Sequence, residues 1–377
     1  MATRNQPFRP SNLLNLNLLL IFIPVALIGK ALRWSDLLVF AVSGLAIMPL
    51  SGMIGEATET LSEKFGQRIG GLINATLGNA AELIITIIAL SAGLTELVKA
   101  SIVGSILGNL LLVTGFSFLL GGLKHGLQTF ERRAAAMNAT LVILAFLALA
   151  IPSGFDEVLL NSGAGGPGRE LFFSEGIALI IIVLYALSLI YTLRERQPRL
   201  GHTPDETEEE EARHTQIDLR RSFIMLALAT IGIVLMSETL VGTVEPVAQG
   251  FGLSQFFIGI IIVPFIGNVA EHIVAVQVAY KNRMDLSLSI SLGSSLQIAL
   301  FVAPVLVFVS LLFPQKLLLV FNPYELVALA TASIVAALVS QDGESNWLEG
   351  AMLLVVYLIL ALAFFLLPSA LPGGGTH

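Results

Sequence analysis

The sequence predicts an all-α polytopic membrane protein with eleven transmembrane helices. Of its 377 residues, 55% are hydrophobic and only 12% are charged, whereas soluble domains carry about 25% charged residues. Many apolar runs reach the roughly 17–25 residues that a spanning helix needs, which rejects a soluble two-domain protein, the alternative on length alone. No strand-like alternation of polarity appears, so each span must be a continuous or a broken helix.

The predicted elements are a leading helix and two groups of five spans. No convincing small-residue cleavage site follows the first apolar run, so we expect a retained helix rather than a cleaved signal peptide. The expected spans are 13–29, 36–54, 69–92, 101–121, 138–153, 171–193, 222–242, 253–279, 288–312, 323–340 and 347–368. The expected units are an N-terminal segment with the first helix (1–35), a first five-helix repeat (36–193), an acidic cytoplasmic linker (194–221), a second repeat (222–368) and a C-terminal tail (369–377).

The distribution of Lys and Arg predicts the orientation of the chain. Fifteen of the twenty lie in loops on the side of the N-terminus, and five lie on the opposite side. The positive-inside rule then makes the N-terminus cytoplasmic, and an odd number of spans puts the C-terminus on the other side. We expect an integral, multi-pass protein of the cell (inner) membrane of a prokaryote, or alternatively of an organelle such as a vacuole.

One polar pattern occurs twice in the apolar runs. The stretch "LGNAAELIITII" starts at Leu77, and "IGNVAEHIVAVQ" starts 189 residues later, at Ile266. The same offset relates these identical pairs: Glu56 and Glu245, Gly78 and Gly267, Asn79 and Asn268, Ala81 and Ala270, Glu82 and Glu271, Gly104 and Gly293, Ser105 and Ser294, Leu107 and Leu296. Five spans per half make the second half enter the membrane from the opposite side. Such inverted repeats are typical of secondary transporters, whose site lies near the midplane between the repeats.

The repeated acids predict a central cation site. A carboxylate near the bilayer centre costs about 2.5–3.5 kcal/mol on insertion scales, and neither core segment has a Lys or Arg to pair with Glu82 or Glu271. Asn and Glu three residues apart share a helix face, so inverted symmetry would gather both carboxylates with the amides of Asn79 and Asn268. Such oxygen ligands suit a hard divalent metal such as Ca²⁺, and the lack of cysteine argues against a soft metal.

Neighbouring residues are expected to complete this site. Ser105, Ser294 and Gln297, on the following spans, could add oxygens, although small polar residues in bilayers also hold helices together. Gly78 and Gly267 favour a local break or close approach, which would free backbone carbonyls as further ligands. Two close acids in a low dielectric can also bind protons once the cation has left. Competition of cation and proton for one place is the physical requirement of antiport.

These motifs resemble the two alpha-repeats of the calcium/proton exchanger family. The resemblance is carried by "GNAAEL" with "SIVGSILGN" and by "GNVAEH" with "LGSSLQIALFVAP", and it extends from about Leu50 to Leu367. It implies a cation/proton antiporter with ten core helices and one extra N-terminal helix, in which Glu82 and Glu271 carry the cation and the protons. The residues that it implies around them are Asn79, Asn268, Ser105, Ser294 and Gln297. Sodium/calcium exchangers share the broad fold but carry different repeat motifs.

Other polar residues allow two interpretations each. Glu56, Glu59 and Glu245, at predicted span ends, either face headgroups and water or form a cation vestibule or proton relay. His272 turns about 100° away from Glu271 on a helix, and it either packs between helices or serves a proton pathway, since His titrates near neutral pH. The acidic linker is either a solvated connection or a regulatory sensor of divalent cations; its acidic residues are Asp205, Glu206, Glu208, Glu209, Glu210 and Glu211.

The remaining motifs argue against other functional classes. No Walker-type sequence is present, so an ion gradient rather than ATP must drive transport. The net charge of −7 argues against nucleic-acid binding, and the chain lacks the second His of a metalloprotease "HExxH". We therefore expect no enzyme and no cofactor, with Ca²⁺ as the substrate, H⁺ as the counter-ion, the lipid bilayer as the surroundings, and homo-oligomers left open. The alternatives are Na⁺/Ca²⁺ exchange, H⁺ exchange with Mn²⁺ or Na⁺, and, less favoured, a passive cation channel.

Overall fold

The computed structural model describes residues 16–161, 167–195 and 208–367, and they are mostly helical. A 3₁₀ helix, Leu16–Ile21, leads into the helices of the first half: α1 Phe22–Ala31, α2 Asp36–Lys64, α3 Gly66–Leu77, α4 Ala80–Ser91, α5 Thr95–Leu107, α6 Thr114–His125, α7 Arg132–Asn161 and α8 Pro167–Glu195. Those of the second half are α9 Glu208–Phe251, α10 Gln255–Phe257, α11 Val263–Tyr280, α12 Met284–Gln297, α13 Ala303–Ser310, α14 Pro323–Val339 and α15 Trp347–Leu366. Three π-helical segments join α5 to α6 (Gly108–Val113), α10 to α11 (Ile258–Ile262) and α12 to α13 (Ile298–Val302).

Within the described residues, eight helices are long and apolar enough to cross a membrane. They are Asp36–Lys64, Thr95–His125, Arg132–Phe155, Gly168–Tyr191, Leu219–Phe251, Gln255–Tyr280, Met284–Ser310 and Trp347–Leu366. Three shorter apolar helices, Leu16–Ala31, Ala80–Ser91 and Pro323–Val339, lie where the other predicted spans fall. The predicted class, a helical multi-pass membrane protein, is confirmed, while the count of eleven crossings stays a prediction.

The centre of the molecule is the helix that contains α5 and α6. In the most apolar part of Thr95–His125, 83% of the residues are buried, against 17% in Gly168–Tyr191 and 22% in Trp347–Leu366. The helices Gly168–Tyr191 and Trp347–Leu366 therefore lie at the periphery, and their large apolar side chains face outward. Helices α2 and α9 pack along each other, and α11 packs against α2, α6 and α12. This arrangement places both polar motifs, on α4 and α11, inside the bundle.

The offset of 189 residues recurs in the backbone. Helix α4 ends at Ser91 and α11 ends at Tyr280, while α5 begins at Thr95 and α12 begins at Met284. The turns between these helices place Gly93 (φ 78°) and Asn282 (φ 61°), also 189 apart, in the left-handed region, which Gly and Asn tolerate best. The π-helical segments after α5 and α12 end at equivalent positions as well, Val113 and Val302. Equivalent residues therefore begin and end equivalent helices.

The two motif helices differ in continuity. The chain leaves helical geometry between α3 and α4, where Asn79 has φ −101° and ψ 30°. Helix α11 instead runs unbroken through Gly267 and Asn268, so the expected break is present in the first half and absent from the second. Pro264 does not force a break: it directly follows the π-helical segment Ile258–Ile262, and local π-helical adjustments accommodate proline in membrane helices.

A short antiparallel ribbon joins the two halves. Strand β1, Gln128–Thr129, lies between α6 and α7, and it pairs with β2, Glu344–Ser345, between α14 and α15. The Gln128 side chain extends the junction, because its Nε2 donates to the carbonyl oxygen of Ala279 at 3.0 Å and to Oδ1 of Asn282 at 2.9 Å. The ribbon and the end of α11 therefore lie on one side of the molecule.

Candidate ion-binding site

Two reciprocal contacts between the halves define the centre. The Ser294 hydroxyl donates to Oδ1 of Asn79 at 3.0 Å, and Nδ2 of Asn268 donates to the Ser105 hydroxyl at 3.2 Å. Both contacts pair the motif asparagine of one half with the serine of the other half. All four residues are buried. The four polar residues that the repeat pairs in sequence therefore meet in space.

Both repeated glutamates lie at this centre. Glu82 is in the first turn of α4 and is buried. Its Oε1 points at α11, where a Cβ on Gly267 would lie 3.4 Å away, so the glycine lets the carboxyl approach the second motif. The charges of Glu82 and Glu271 act on each other, and the Ser294 side chain lies beside the Glu271 carboxyl.

The centre offers oxygen acceptors without donors. Among the described residues, Oδ1 of Asn268 and Oε2 of Glu271 are buried and accept no hydrogen bond. Buried polar atoms normally have partners, and a carboxylate or an amide oxygen can be satisfied by a donor or by a cation. No Lys or Arg lies within either motif, so a bound cation or a proton fits these atoms.

Gln297 and Asn109 complete the polar centre asymmetrically. Oε1 of Gln297 accepts from Nδ2 of Asn79 at 2.5 Å, and Gly108, at the equivalent position of the first half, has no such side chain. Asn109 follows it, is buried, and donates from Nδ2 to the Ser294 hydroxyl at 3.0 Å. The sequence analysis gave Asn109 no role. The signal that could have found it is the second "LGN" of the chain, at 107–109.

The carboxylates predicted at span ends lie away from this centre. Glu56 and Glu59 on α2 and Glu245 on α9 are exposed, and Nε2 of Gln249 donates to the Glu245 carboxyl at 3.2 Å. The structure does not bring them into the central cluster. Their role as a vestibule or a proton relay, against the alternative of interfacial charge, stays a prediction.

His272 is buried beside the centre. Its ring lies over Gly108, where a Cβ would be 3.8 Å from its Cε1, and the ring centroids of Phe265 and His272 are 6.3 Å apart. Within the part of the chain that the structure describes, neither ring nitrogen has a hydrogen-bond partner. The packing agrees with the first interpretation of this residue, and the proton-pathway interpretation stays open.

The predicted regulatory linker lies partly outside the described residues, which omit 196–207. Asp205 and Glu206 are not described, and Glu208–Glu211 form the start of the backbone of α9. Among the described residues, no group of three or more His, Cys, Asp or Glu side chains could hold a metal ion. The central site has two carboxylates, so any cation there needs amide, hydroxyl or water oxygens as well.

A buried pair of carboxylates with amide and hydroxyl oxygens, inside a bundle of membrane-spanning helices, defines a class of cation-transporting membrane proteins. The chain belongs to the sodium/calcium exchanger protein family, whose sequence profile matches residues 35–194 and 221–366. This family consists of transporters. The resemblance to its calcium/proton exchanger branch is confirmed by relatives of similar length.

Two curated relatives and one solved structure illustrate the similarity. The chain is 42% identical over 362 residues to the Ca(2+)/H(+) antiporter of Aphanothece halophytica, which covers 93% of this chain and 96% of the relative. It is 46% identical over 347 residues to the Ca(2+)/H(+) antiporter ChaA of Bacillus subtilis, with 92% and 97% covered. The structure of native YfkE is 43% identical, with a TM-score of 0.80, and the match covers 93% of this chain and 100% of that chain.

Proposed function

We propose that this protein is a secondary active antiporter that exchanges cytoplasmic Ca²⁺ for protons from the opposite side. One observation carries the proposal: the reciprocal Asn–Ser contacts lie in one buried centre with both glutamates and with the unpartnered oxygens of Glu271 and Asn268. Glu82 and Glu271 bind the cation and protons in turn, with Asn79, Asn268, Ser105, Ser294 and Gln297 around them. The names of the relatives, Ca(2+)/H(+) antiporters, support this substrate and counter-ion.

The reciprocal contacts also support the inverted-repeat architecture. A pseudo-two-fold axis between the halves would turn the Asn79–Ser294 contact into the Asn268–Ser105 contact. The equivalent turns at Gly93 and Asn282 and the equivalent π-helical segments agree with this relation. In secondary transporters of this design, the axis lies in the membrane plane and the site lies on it. Two groups of five spans behind one leading helix then give the proposed eleven.

A difference between equivalent glycines supports alternating access. A Cβ on Gly104 of α5 would collide with the carbonyl oxygen of Ile260, whereas a Cβ on Gly293 of α12 would meet nothing within 4 Å. Helix α5 packs tightly against Ile258–Ile262, but the equivalent of that segment, α3, packs against α2 and α8. The bundle is thus closed at the end of α5 and open at the end of α12. With the proposed topology, the open end faces the cytoplasm.

Contacts between loops support that topology. On the proposed cytoplasmic side, β1 pairs with β2, and Lys124 donates to the carbonyl oxygen of Tyr280 at 3.1 Å. On the proposed outer side, the backbone N–H of Leu319 donates to the Ser174 hydroxyl at 3.2 Å. Each contact joins loops or helix ends that the prediction puts on the same side of the membrane.

Purified protein in vesicles tests the function. Vesicles loaded at acidic pH and diluted into neutral buffer that contains ⁴⁵Ca²⁺ and no Na⁺ should accumulate Ca²⁺ as protons leave. Uptake that requires an Na⁺ gradient instead would make the protein a sodium/calcium exchanger. Stronger competition by Mn²⁺ than by unlabelled Ca²⁺ would make Mn²⁺ the preferred substrate. Equal uptake without any pH gradient, together with a large current, would indicate a channel and contradict the proposal.

Substitution of either central glutamate tests the site. Glu82→Gln and Glu271→Gln keep the shape of the side chain but remove the negative charge, so each should abolish proton-driven Ca²⁺ uptake. Because charge in the bilayer interior is costly, neither change should reduce insertion of the protein into the membrane. Glu349→Gln, which neutralises a carboxylate at the start of α15, is the matched control and should transport like the wild type. Normal uptake by either central variant would contradict the assignment.

A further inference from the structure

Another carboxylate, outside both motifs, is fully buried. Glu325 lies in the first turn of α14, and its side chain is 0% exposed. Its Oε2 accepts from the backbone N–H of Asn322 at 2.8 Å, and its own N–H donates to Oδ1 of Asn322 at 2.9 Å. These two bonds form a capping box, which stabilises a helix N-terminus. A capping box needs one oxygen of the glutamate, so the other oxygen is left to explain.

That other oxygen has no partner. Among the described residues, Oε1 of Glu325 and Nδ2 of Asn322 are both buried and form no hydrogen bond. The chain contains a second capping box, Asn346 with Glu349 at the start of α15, and none of its polar atoms is a buried atom without a partner. Helix capping alone therefore accounts for Glu349 but not for the buried oxygen of Glu325.

A charged pair connects Glu325 to the outside. Lys99 and Glu96 of α5 form an ion pair at 2.5 Å, in which Lys99 is 16% exposed and Glu96 is 57% exposed. The charges of both act on Glu325. The other elements packed against α14 are α7, α15 and Gly108–Val113, and no charged side chain described on them acts on Glu325. Glu325 is therefore buried within the electrostatic influence of a partly exposed ion pair on α5.

Polar groups continue from Glu325 toward the central site. Ser333 lies on the same face of α14, eight residues or about 12 Å further along the helix. Its hydroxyl is buried and has no partner among the described residues. Ser333 and Ser295 of α12 are the two polar residues that line an otherwise apolar cavity of about 10 Å³, which is about the space that one water molecule needs. Ser295 is next in sequence to Ser294, whose hydroxyl contacts Asn79.

We propose that Glu325 is a further proton-binding residue, which takes up protons from the outer side and passes them toward the central glutamates. The proposal rests on the proposed exchange of Ca²⁺ for protons and adds the residue through which the protons enter. One proton binds the free oxygen of Glu325 and later leaves it, so no bond other than O–H forms or breaks. Protons and Ca²⁺ then reach the centre by separate routes, since the open end of the bundle lies on the cytoplasmic side.

The test compares two matched substitutions, Glu325→Gln and Glu349→Gln. Glutamine also serves in a capping box, so both variants keep the cap and lose only the ionisable group. Everted membrane vesicles, whose lumen corresponds to the outer side, take up ⁴⁵Ca²⁺ while the pH of the lumen is varied at a fixed bath pH. We expect Glu325→Gln to slow uptake by at least about tenfold and to flatten its dependence on lumenal pH, with the apparent Ca²⁺ constant unchanged. Glu349→Gln should match the wild type in all three.

Other outcomes would overturn the proposal. If Glu325→Gln behaves like Glu349→Gln, Glu325 is a helix cap only. If it changes the apparent Ca²⁺ constant and keeps the pH dependence, Glu325 binds a cation instead. Infrared spectra of the purified protein provide a readout that does not depend on exchange: a protonated-carboxyl band that appears on acidification should disappear in Glu325→Gln. A wild type without proton-driven uptake would refute the proposed function, whereas an unchanged infrared band would refute proton binding by Glu325.

Discussion

At the scale of single residues, the centre depends on glycines as much as on charges. Gly267 leaves the space into which the Glu82 carboxyl points, and Gly78 does the same for Gln297, whose Oε1 would lie 3.2 Å from a Cβ there. In both pairs, a polar side chain of one half lies beside a glycine of the other half. The glycine before each motif asparagine is therefore part of the site, because it sets how closely the halves approach.

Substitution of Gly267 should weaken cation binding without unfolding the protein. Gly267→Ala puts a methyl group in van der Waals contact with Oε1 of Glu82, so the cost to ion binding should lie at the low end of the about 1–3 kcal/mol of overpacking. Since about 1.4 kcal/mol is a factor of ten, we expect an apparent Ca²⁺ constant raised about tenfold in the vesicle assay. The matched control is Gly242→Ala on α9, where a Cβ would meet nothing within 4 Å. An unchanged constant in Gly267→Ala would show that the carboxyl does not bind the ion from this position.

The sequence predicted the central residues because they are repeated. Asn79, Asn268, Ser105 and Ser294 each have a mate at the same offset, and the structure brings all four together; their part in ion binding stays a prediction. Asn109 and Glu325 have no such mate, since Ile298 and Ala136 occupy the equivalent positions. Asn109 is marked only by a second "LGN" and Glu325 by no such recurrence, so the structure was needed to show their buried polar contacts.

At the scale of elements, helix type was the least predictable property. The lengths of apolar runs indicated where helices lie, and the structure agrees. The π-helical segments were not predicted, because one additional residue in a turn leaves no trace in composition. They are common at functional sites, and here one begins at Gly108, under His272, and another follows Gln297. The sequence also did not predict that α11 is unbroken, because Gly and Pro allow a helix to break but do not require it.

The difference between α5 and α12 predicts unequal access to the two ends of the bundle. The chain has no cysteine, so single cysteines can be labelled without background. Gly293→Cys on α12 should react quickly with a membrane-impermeant thiol reagent from the cytoplasmic side, because the space beside it is open. Ser101→Cys on α5 should not react from either side, because Ser101 is buried.

Calcium offers a control for this labelling experiment. Saturating Ca²⁺ at neutral pH should slow the reaction of Gly293→Cys if the ion binds at the end of the same opening. Rapid labelling of Ser101→Cys, with no labelling of Gly293→Cys even without Ca²⁺, would reverse the assignment of the open and closed ends.

At the scale of the whole molecule, topology can be tested by the same chemistry. Thr129, in β1, and Gln315, between α13 and α14, are both exposed and lie on opposite proposed sides. In intact cells, Gln315→Cys should react with an impermeant reagent, and Thr129→Cys should react only after permeabilisation. A reversed N-terminus would exchange the two results, and an odd number of spans before residue 129 would make Thr129→Cys react in intact cells.

The contact of Gly104 with Ile260 has a mechanical consequence. Backbone rests directly on backbone there, with no side chain between the two helices, so no rotamer change can separate them. If this contact is the outer seal that we propose, its release requires the displacement of whole segments. A proton that arrives from outside while this contact is closed would need a path through side chains instead of an open channel.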